Sequence, residues 1–477
     1  MRNLSARLLA AGLAASVAGC VAGPPPEIAT ATPALPETYA FAADAQSAAS
    51  IDALLPNEDA AFVTLSKAAL EQSPTLLEAM ARVEAARAGA RRAGAERLPN
   101  FGIDANVTEN RINPNQFGSD NPFAQAIDTT QVSYGANITA RWDADLFGQL
   151  RAQERAAVSR IDAASASASA VRLALLSEIA ASVVDWRVLD ARTKAIESDV
   201  AAATRLAALA QTREDAGIAP GFDRVRAQSQ ASASRSRLAA LKNERARLLG
   251  RLVTLTSLNG ADVMAALAPP SKASALSAAP ASLPSELLAN RPDVLAAAAE
   301  LAASDAELAA TARSRFPRLT LSGVIGLLSF SPSNFFDEDS LVRTLTAGVA
   351  APLLDFGRIE AEIDGAAANK KIAFQAYRGA VFQALGDAEA AYGLVAASDE
   401  QAALAAQERD ELERAASLAD DRYRAGLASF LEVLEARRAA DTSGERAAAA
   451  IGAAQRARIV LWQALGGDAS KAADETA

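Results

Sequence analysis

Few side chains in this sequence can do chemistry. Histidine is absent from all 477 residues, which removes the commonest general base and the commonest nitrogen ligand for a metal. Cysteine occurs once, as Cys20, so no intramolecular disulfide is possible, and a metal site made without that thiol would need oxygen ligands alone. No glycine-rich phosphate loop and no nucleophile motif is present, and nothing here supports an enzyme. Carboxylates remain. Glu432 and Glu435 stand three residues apart and share one helix face. Such spacing ordinarily lines a solvated face, and in a narrow space it would concentrate cations. With a net charge of −10 and no basic block, the chain is not built for nucleic acid.

The single thiol has a different use. Arg2 and Arg7 precede an apolar stretch from Leu8 that ends in Val17-Ala18-Gly19-Cys20. Residues 1–19 read as a secretory signal, too short to span a bilayer permanently. Small residues directly before a cysteine resemble a bacterial lipoprotein signal. That resemblance implies cleavage before Cys20, an S-diacylglycerol and an N-acyl group on it, and no other cofactor. Each buried methylene contributes about 0.8 kcal/mol and one chain anchors only reversibly, so three chains would hold firmly. Val21 stands where an aspartate would favour retention in the inner membrane. The anchor therefore points to the outer membrane.

Beyond the anchor, residues 20–57 hold Pro24, Pro25, Pro26, Pro33, Pro36 and Pro56 among Ala and Thr, and read as an extended lipidated tether. Two stretches then repeat one plan. Pro74 to Pro99 and Pro292 to Pro317 are each 25 residues apart, and Phe147 to Gly217 and Phe356 to Gly426 are each 70 apart. A first repeat is expected over 58–267, a second over 285–467, with a proline-rich linker at 268–284 and a disordered tail at 468–477.

Within each repeat the period changes. Phe101, Ile103, Ala105 and Val107 alternate with polar residues and glycine, as do Val132, Tyr134, Ala136, Ile138, Ala140 and Trp142. Strands are expected at about 100–112 and 130–143, and in the second copy at about 317–330 and 341–354. Their length of roughly 10 residues with alternating polarity fits outer-membrane barrels and half-buried soluble hairpins alike. From Gln149 to Asp215 there is neither Pro nor Gly, and a helix of that span would reach ~100 Å. Long helices are expected at about 149–215, 221–257, 357–424 and 428–465. Trp186 and Trp462 read as packing residues, and Trp142 as a residue of an interfacial girdle.

The strings Trp142-Asp143-Ala144-Asp145-Leu146-Phe147-Gly148, Pro352-Leu353-Leu354-Asp355-Phe356-Gly357-Arg358 and Tyr423-Arg424-Ala425-Gly426, the last leading into Phe430-Leu431-Glu432-Val433-Leu434-Glu435-Ala436, resemble the TolC-like outer-membrane efflux proteins, in their lipoprotein branch of the NodT and OprM type. The resemblance implies a mainly α fold with a membrane β part. In it a homotrimer shares one 12-stranded β-barrel, four strands per chain, above a long helical tunnel in the periplasm. The same resemblance implies a periplasmic adaptor and an inner-membrane RND-type transporter as partners, outer-membrane lipid around the barrel, and a Gram-negative outer-membrane location. Physical reasoning agrees on the oligomer, because four strands cannot close a barrel and an open edge in lipid leaves backbone groups unpaired.

Phe147-Gly148 and Phe356-Gly357 fall where a strand must hand over to a helix, glycine supplying the backbone freedom and phenylalanine packing at the junction. Gly217 and Gly426 fall where two helices turn back at the periplasmic tip. The resemblance places gate carboxylates at Glu432 and Glu435, six and nine residues beyond Gly426, and latch residues at Asp223 and Tyr423. The family's latch arginine is replaced by Ala428, with Arg422, Arg424 and Arg437 as neighbouring substitutes.

Three other classes stand beside the passive conduit of a tripartite efflux pump. One is a lipidated periplasmic coiled-coil adaptor or structural protein of an export system, which would carry one helical hairpin where this chain has two repeats. The outer-membrane component of type I protein secretion is another. An enzyme is the third.

Overall fold

A computed structural model describes residues 28, 30–31, 33–42, 45, 49–113, 130–218, 220–270 and 276–467. Cys20, the signal, part of the tether and the tail from 468 lie outside the described residues. The helices of eight residues or more are α1 (Ala60–Gln72), α2 (Pro74–Ala95), α3 (Gln149–Asp215), α4 (Gly221–Thr256), α5 (Gly260–Leu267), α6 (Pro292–Ala312), α7 (Arg358–Arg424) and α8 (Phe430–Ala464). The strands are β1 (Asn100–Arg111), β2 (Thr130–Asp143), β3 (Arg318–Ser329) and β4 (Leu341–Ala350). The chain forms two compact units. One comprises the described residues of Met1–Ala31, Glu84–Asp162 and Ala299–Gln375, and the other those of Thr32–Val83, Ala163–Ala298 and Ala376–Ala477.

In the first unit the strands form one antiparallel sheet in the order β1-β2-β3-β4. The register pairs Ile103 with Ile138, Ile138 with Ile325 and Gly323 with Leu345. Directly opposed residues point to the same face, so Phe101, Ile103, Ile138, Leu321, Ile325, Leu345 and Val349 make one largely apolar surface, with Arg343 opposite Ile325 at its β4 edge. None of the described residues covers it: Ile103 is 84% exposed and Leu345 85%. Asp104, Asn137, Thr139, Arg141, Thr320, Ser322 and Thr346 lie on the opposite, polar face, where Asn137 donates to Asp104 at 3.1 Å. β1 and β4 are edges with no partner among the described residues. Below the sheet, Leu308 and Ala312 of α6 pack with Ile359, Ile363 and Ala367 of α7.

The second unit is built on helical seams. Phe62 and Leu65 of α1 enclose Leu175, Ile179, Val183 and Trp186 of α3 with Leu252 of α4 and Val263 of α5. A matching core forms around Val381, Ala384, Ala388 and Tyr392 of α7 with Leu461 and Trp462 of α8. The three-to-four residue spacing of its alanines lets the helices approach closely. Trp186 and Trp462 are both buried.

Several segments differ from the expected outline. The tether was expected to be extended to residue 57, yet its described part packs onto the second core. Tyr39 is buried with its ring 5.1 Å from that of Tyr392, the Ala40 N–H donates to Glu389, and Leu54 joins the same cluster. Burying aromatic and aliphatic groups outweighs the freedom that proline and alanine leave to the chain. The linker is likewise held where it is described, since the Ser277 carbonyl accepts from Arg458 at 2.7 Å and the Pro280 carbonyl from Tyr392 at 2.7 Å. α5, capped by the Asn259 side chain, adds a helix after α4. β4 stops at Ala350, two residues before Pro352, and α8 starts at Phe430, where the Ser429 hydroxyl caps its first turn.

Candidate functional site

Two kinds of site come from the glycine pairs. At the strand-to-helix corners Gly148 and Gly357 have φ of 75° and 86°, in the left-handed region that glycine adopts without strain. The carboxylates beside them cap the long helices: Asp145 accepts from the N–H groups of Leu150 and Arg151, both at 2.9 Å, and Asp355 from Ile359 at 2.9 Å. The N–H of Ile359 first, and that of Gly357 at 3.2 Å, hold the exposed Asp355 carboxyl below its usual range. The two phenylalanines part ways. Phe147 stacks on Phe316 at 4.8 Å, as expected of a junction residue, whereas Phe356 is 91% exposed with φ 53°. Packing at the second corner is therefore corrected: the left-handed backbone there turns the ring outward.

Gly217 and Gly426 end α3 and α7 in the same way, with φ of 73° and 76°. The Ile218 N–H donates to the Arg213 carbonyl at 3.0 Å and the Leu427 N–H to that of Arg422 at 2.8 Å. Each closes a Schellman turn, in which the left-handed glycine lets the next residue reach back to the last helical turn.

Around these turns four helices meet. Ala210 of α3, Ala227 of α4, Ala419 and Tyr423 of α7, and Phe430 and Val433 of α8 form one buried cluster. Tyr423 lies between the Phe430 ring, edge-on at 6.0 Å, and the Arg213 guanidinium, 4.3 Å from its centroid. Glu432 and Glu435 lie exposed on α8, on the side away from Phe430 and Val433, and the Glu432 N–H is capped by Ser429 at 3.2 Å. Asp223 is half-buried in the first turn of α4.

Ala428 packs against the same cluster. Arg424 pairs with Asp420 at 2.7 Å, Arg437 approaches that carboxylate at 4.0 Å, and Arg422 reaches the Leu427 carbonyl at 3.5 Å. The arginine on the tyrosine is Arg213 from the other repeat. No local sequence signal could have named it, because its partner is remote along the chain. Asp145 and Asp355, in contrast, were readable as capping residues.

At the end of β2 the Trp142 indole N–H donates to the Arg97 carbonyl at 2.9 Å, so its polar tip is satisfied while the ring stays on the apolar face.

The outer membrane efflux protein family matches residues 65–258 and 283–467. The chain belongs to that family. Among relatives of this efflux protein, the pyoverdine export outer membrane protein OpmQ of Pseudomonas putida is 30% identical over 410 residues, 84% of this chain and 85% of its own length. Outer membrane protein OprJ of Pseudomonas aeruginosa is 28% identical over 445 residues, 91% of each chain. The solved outer-membrane channel OprN superposes with a TM-score of 0.85 at 24% identity, covering 93% of this chain and 99% of its own. The efflux protein thus has the TolC-like fold and is an outer-membrane channel.

Proposed function

We propose that three copies of this channel close one 12-stranded barrel and serve a tripartite pump as its passive outer conduit, anchored through acylated Cys20 and fed by a periplasmic adaptor and an inner-membrane RND-type transporter. The observation that carries this reading is the sheet: an apolar face exposed along all four strands, with edges at β1 and β4 that lipid cannot satisfy. At the glycine turns that end α3 and α7, Ile218 is 74% exposed and Leu427 70%, apolar residues suited to an adaptor's helical tip. The OpmQ relative is named for pyoverdine export, and small molecules of that kind, or drugs, are the proposed cargo.

In this reading Glu432 and Glu435 ring the narrowest point of the tunnel and hold the resting channel at low, cation-preferring conductance. Asp223 and Tyr423 latch the turns.

Sedimentation of detergent-purified protein tests the assembly: three chains are expected, and a stable β-containing monomer would refute the shared barrel. Single-channel recording tests the gate. Replacing Glu432 and Glu435 together by Ala should weaken cation preference, and an unchanged channel would return both to an ordinary solvated face. Mass spectrometry of the mature amino-terminal peptide reads the acyl groups on Cys20.

A further inference from the structure

Away from the glycine turns, α3 and α8 bring two acids together. The carboxyl groups of Asp199 on α3 and Asp441 on α8 lie within hydrogen-bond reach of each other, and Asp199 Oδ2 is enclosed without a donor. The surrounding cations are turned elsewhere. Arg237 of α4 binds Glu445 of α8 at 2.6 Å and the Ser234 hydroxyl at 3.0 Å. Arg192 of α3 lies 3.8 Å from the same Glu445, and Arg437 of α8 lies 4.0 Å from Asp420. Two ionised carboxylates facing one another set acceptor against acceptor and charge against charge. One proton between them turns the contact into a donor and an acceptor.

We propose that Asp199 and Asp441 hold a single proton between them, and that this shared proton clamps α8 onto α3 of the other repeat. Burial first, then the hydrogen bond and charge of Asp441 and the charge of Glu445, push the Asp199 carboxyl up to about 7, with Arg237 opposing. Burial raises Asp441 as well, against Asp199, Arg237 and Arg437 and together with Glu445.

The packed state therefore binds the proton more tightly than a state in which the helices have separated. The clamp is at full strength below the ordinary carboxylate range, weakens as pH rises, and is lost above about 7. Between about pH 6 and about pH 8 the equilibrium for releasing α8 shifts about tenfold. Because α8 also bears Glu432 and Glu435, acid would hold that helix in place and neutral medium would free it. Only this last link rests on the gate reading.

The test uses full-length protein in detergent and reads the proton directly. Infrared titration should show an undissociated carboxyl band that disappears near about pH 7 and is missing from D199N. Amide hydrogen exchange over residues 438–446, corrected for the intrinsic rate, should quicken about tenfold from about pH 6 to about pH 8 in the parent. It should be pH-independent in D441N, whose amide donates permanently to Asp199. If neither variant assembles, the parent alone decides. Absence of a carboxyl titrating in that range overturns the shared proton, and a titrating band without a change in exchange overturns the clamp. Neither readout involves conductance, so failure of the gate reading would leave this result intact.

Discussion

The guanidinium of Arg213 sits 4.3 Å from the ring centroid of Tyr423, tying the end of α3 in one repeat to the end of α7 in the other. Tyr423 is 5% exposed, and its truncation to Ala should cost about 3–5 kcal/mol of local packing. Losing the cation at Arg213 should cost about 0.5–1 kcal/mol. Basal single-channel conductance should therefore rise modestly in Arg213→Ala and strongly in Tyr423→Ala, while Tyr423→Phe keeps the parent's value. A Phe variant that leaks like the Ala variant would assign the latch to the hydroxyl instead of the ring.

Gly217 and Gly426 offer a cleaner backbone experiment. A Cβ at either would meet nothing within 4 Å, yet both have positive φ near 75°. Alanine there should cost only the left-handed backbone term, about 1 kcal/mol. The expected result is full assembly with faster exchange confined to the turn amides.

Two glycines of the same strand should behave oppositely. A Cβ on Gly326 would lie 2.3 Å from the Ala136 carbonyl and 2.8 Å from Asn137 Cα, whereas on Gly323 its closest neighbours are 3.9 Å away. Gly326→Ala should separate β2 from β3 and abolish recovery of the folded channel from membranes, and Gly323→Ala should leave the yield unchanged.

Arg291 supplies a prediction in acid. It is 8% exposed and binds Asp293 at 2.6 Å, Asp387 at 3.0 Å and the Ala464 carbonyl at 3.0 Å. Burial acts to raise the Asp293 carboxyl, but the hydrogen bonds and charge of Arg291 outweigh it and hold the group below its usual range. A depressed carboxyl stabilises the fold above its usual range, and that contribution disappears as pH falls through the lowered value. Arg291→Met should destabilise at neutral pH by about 3 kcal/mol. Acid unfolding followed by circular dichroism should show the variant failing at a higher pH than the parent.

What the sequence determined by itself is local. The alternation from Phe101 to Val107 and the proline-free, glycine-free run from Gln149 to Asp215 depend only on neighbouring residues, so strand and helix could be read from them directly. Gly217 and Gly426 were legible as turns for the same reason, since the left-handed conformation is a property of one residue. Tertiary structure alone set Ile138 against Ile325, Arg213 over Tyr423, Asp199 against Asp441, and Tyr39 on Tyr392. Each of these pairs joins residues more than a hundred positions apart. A side chain's period reveals which face it occupies, but its partner is chosen only when packing brings distant faces into contact.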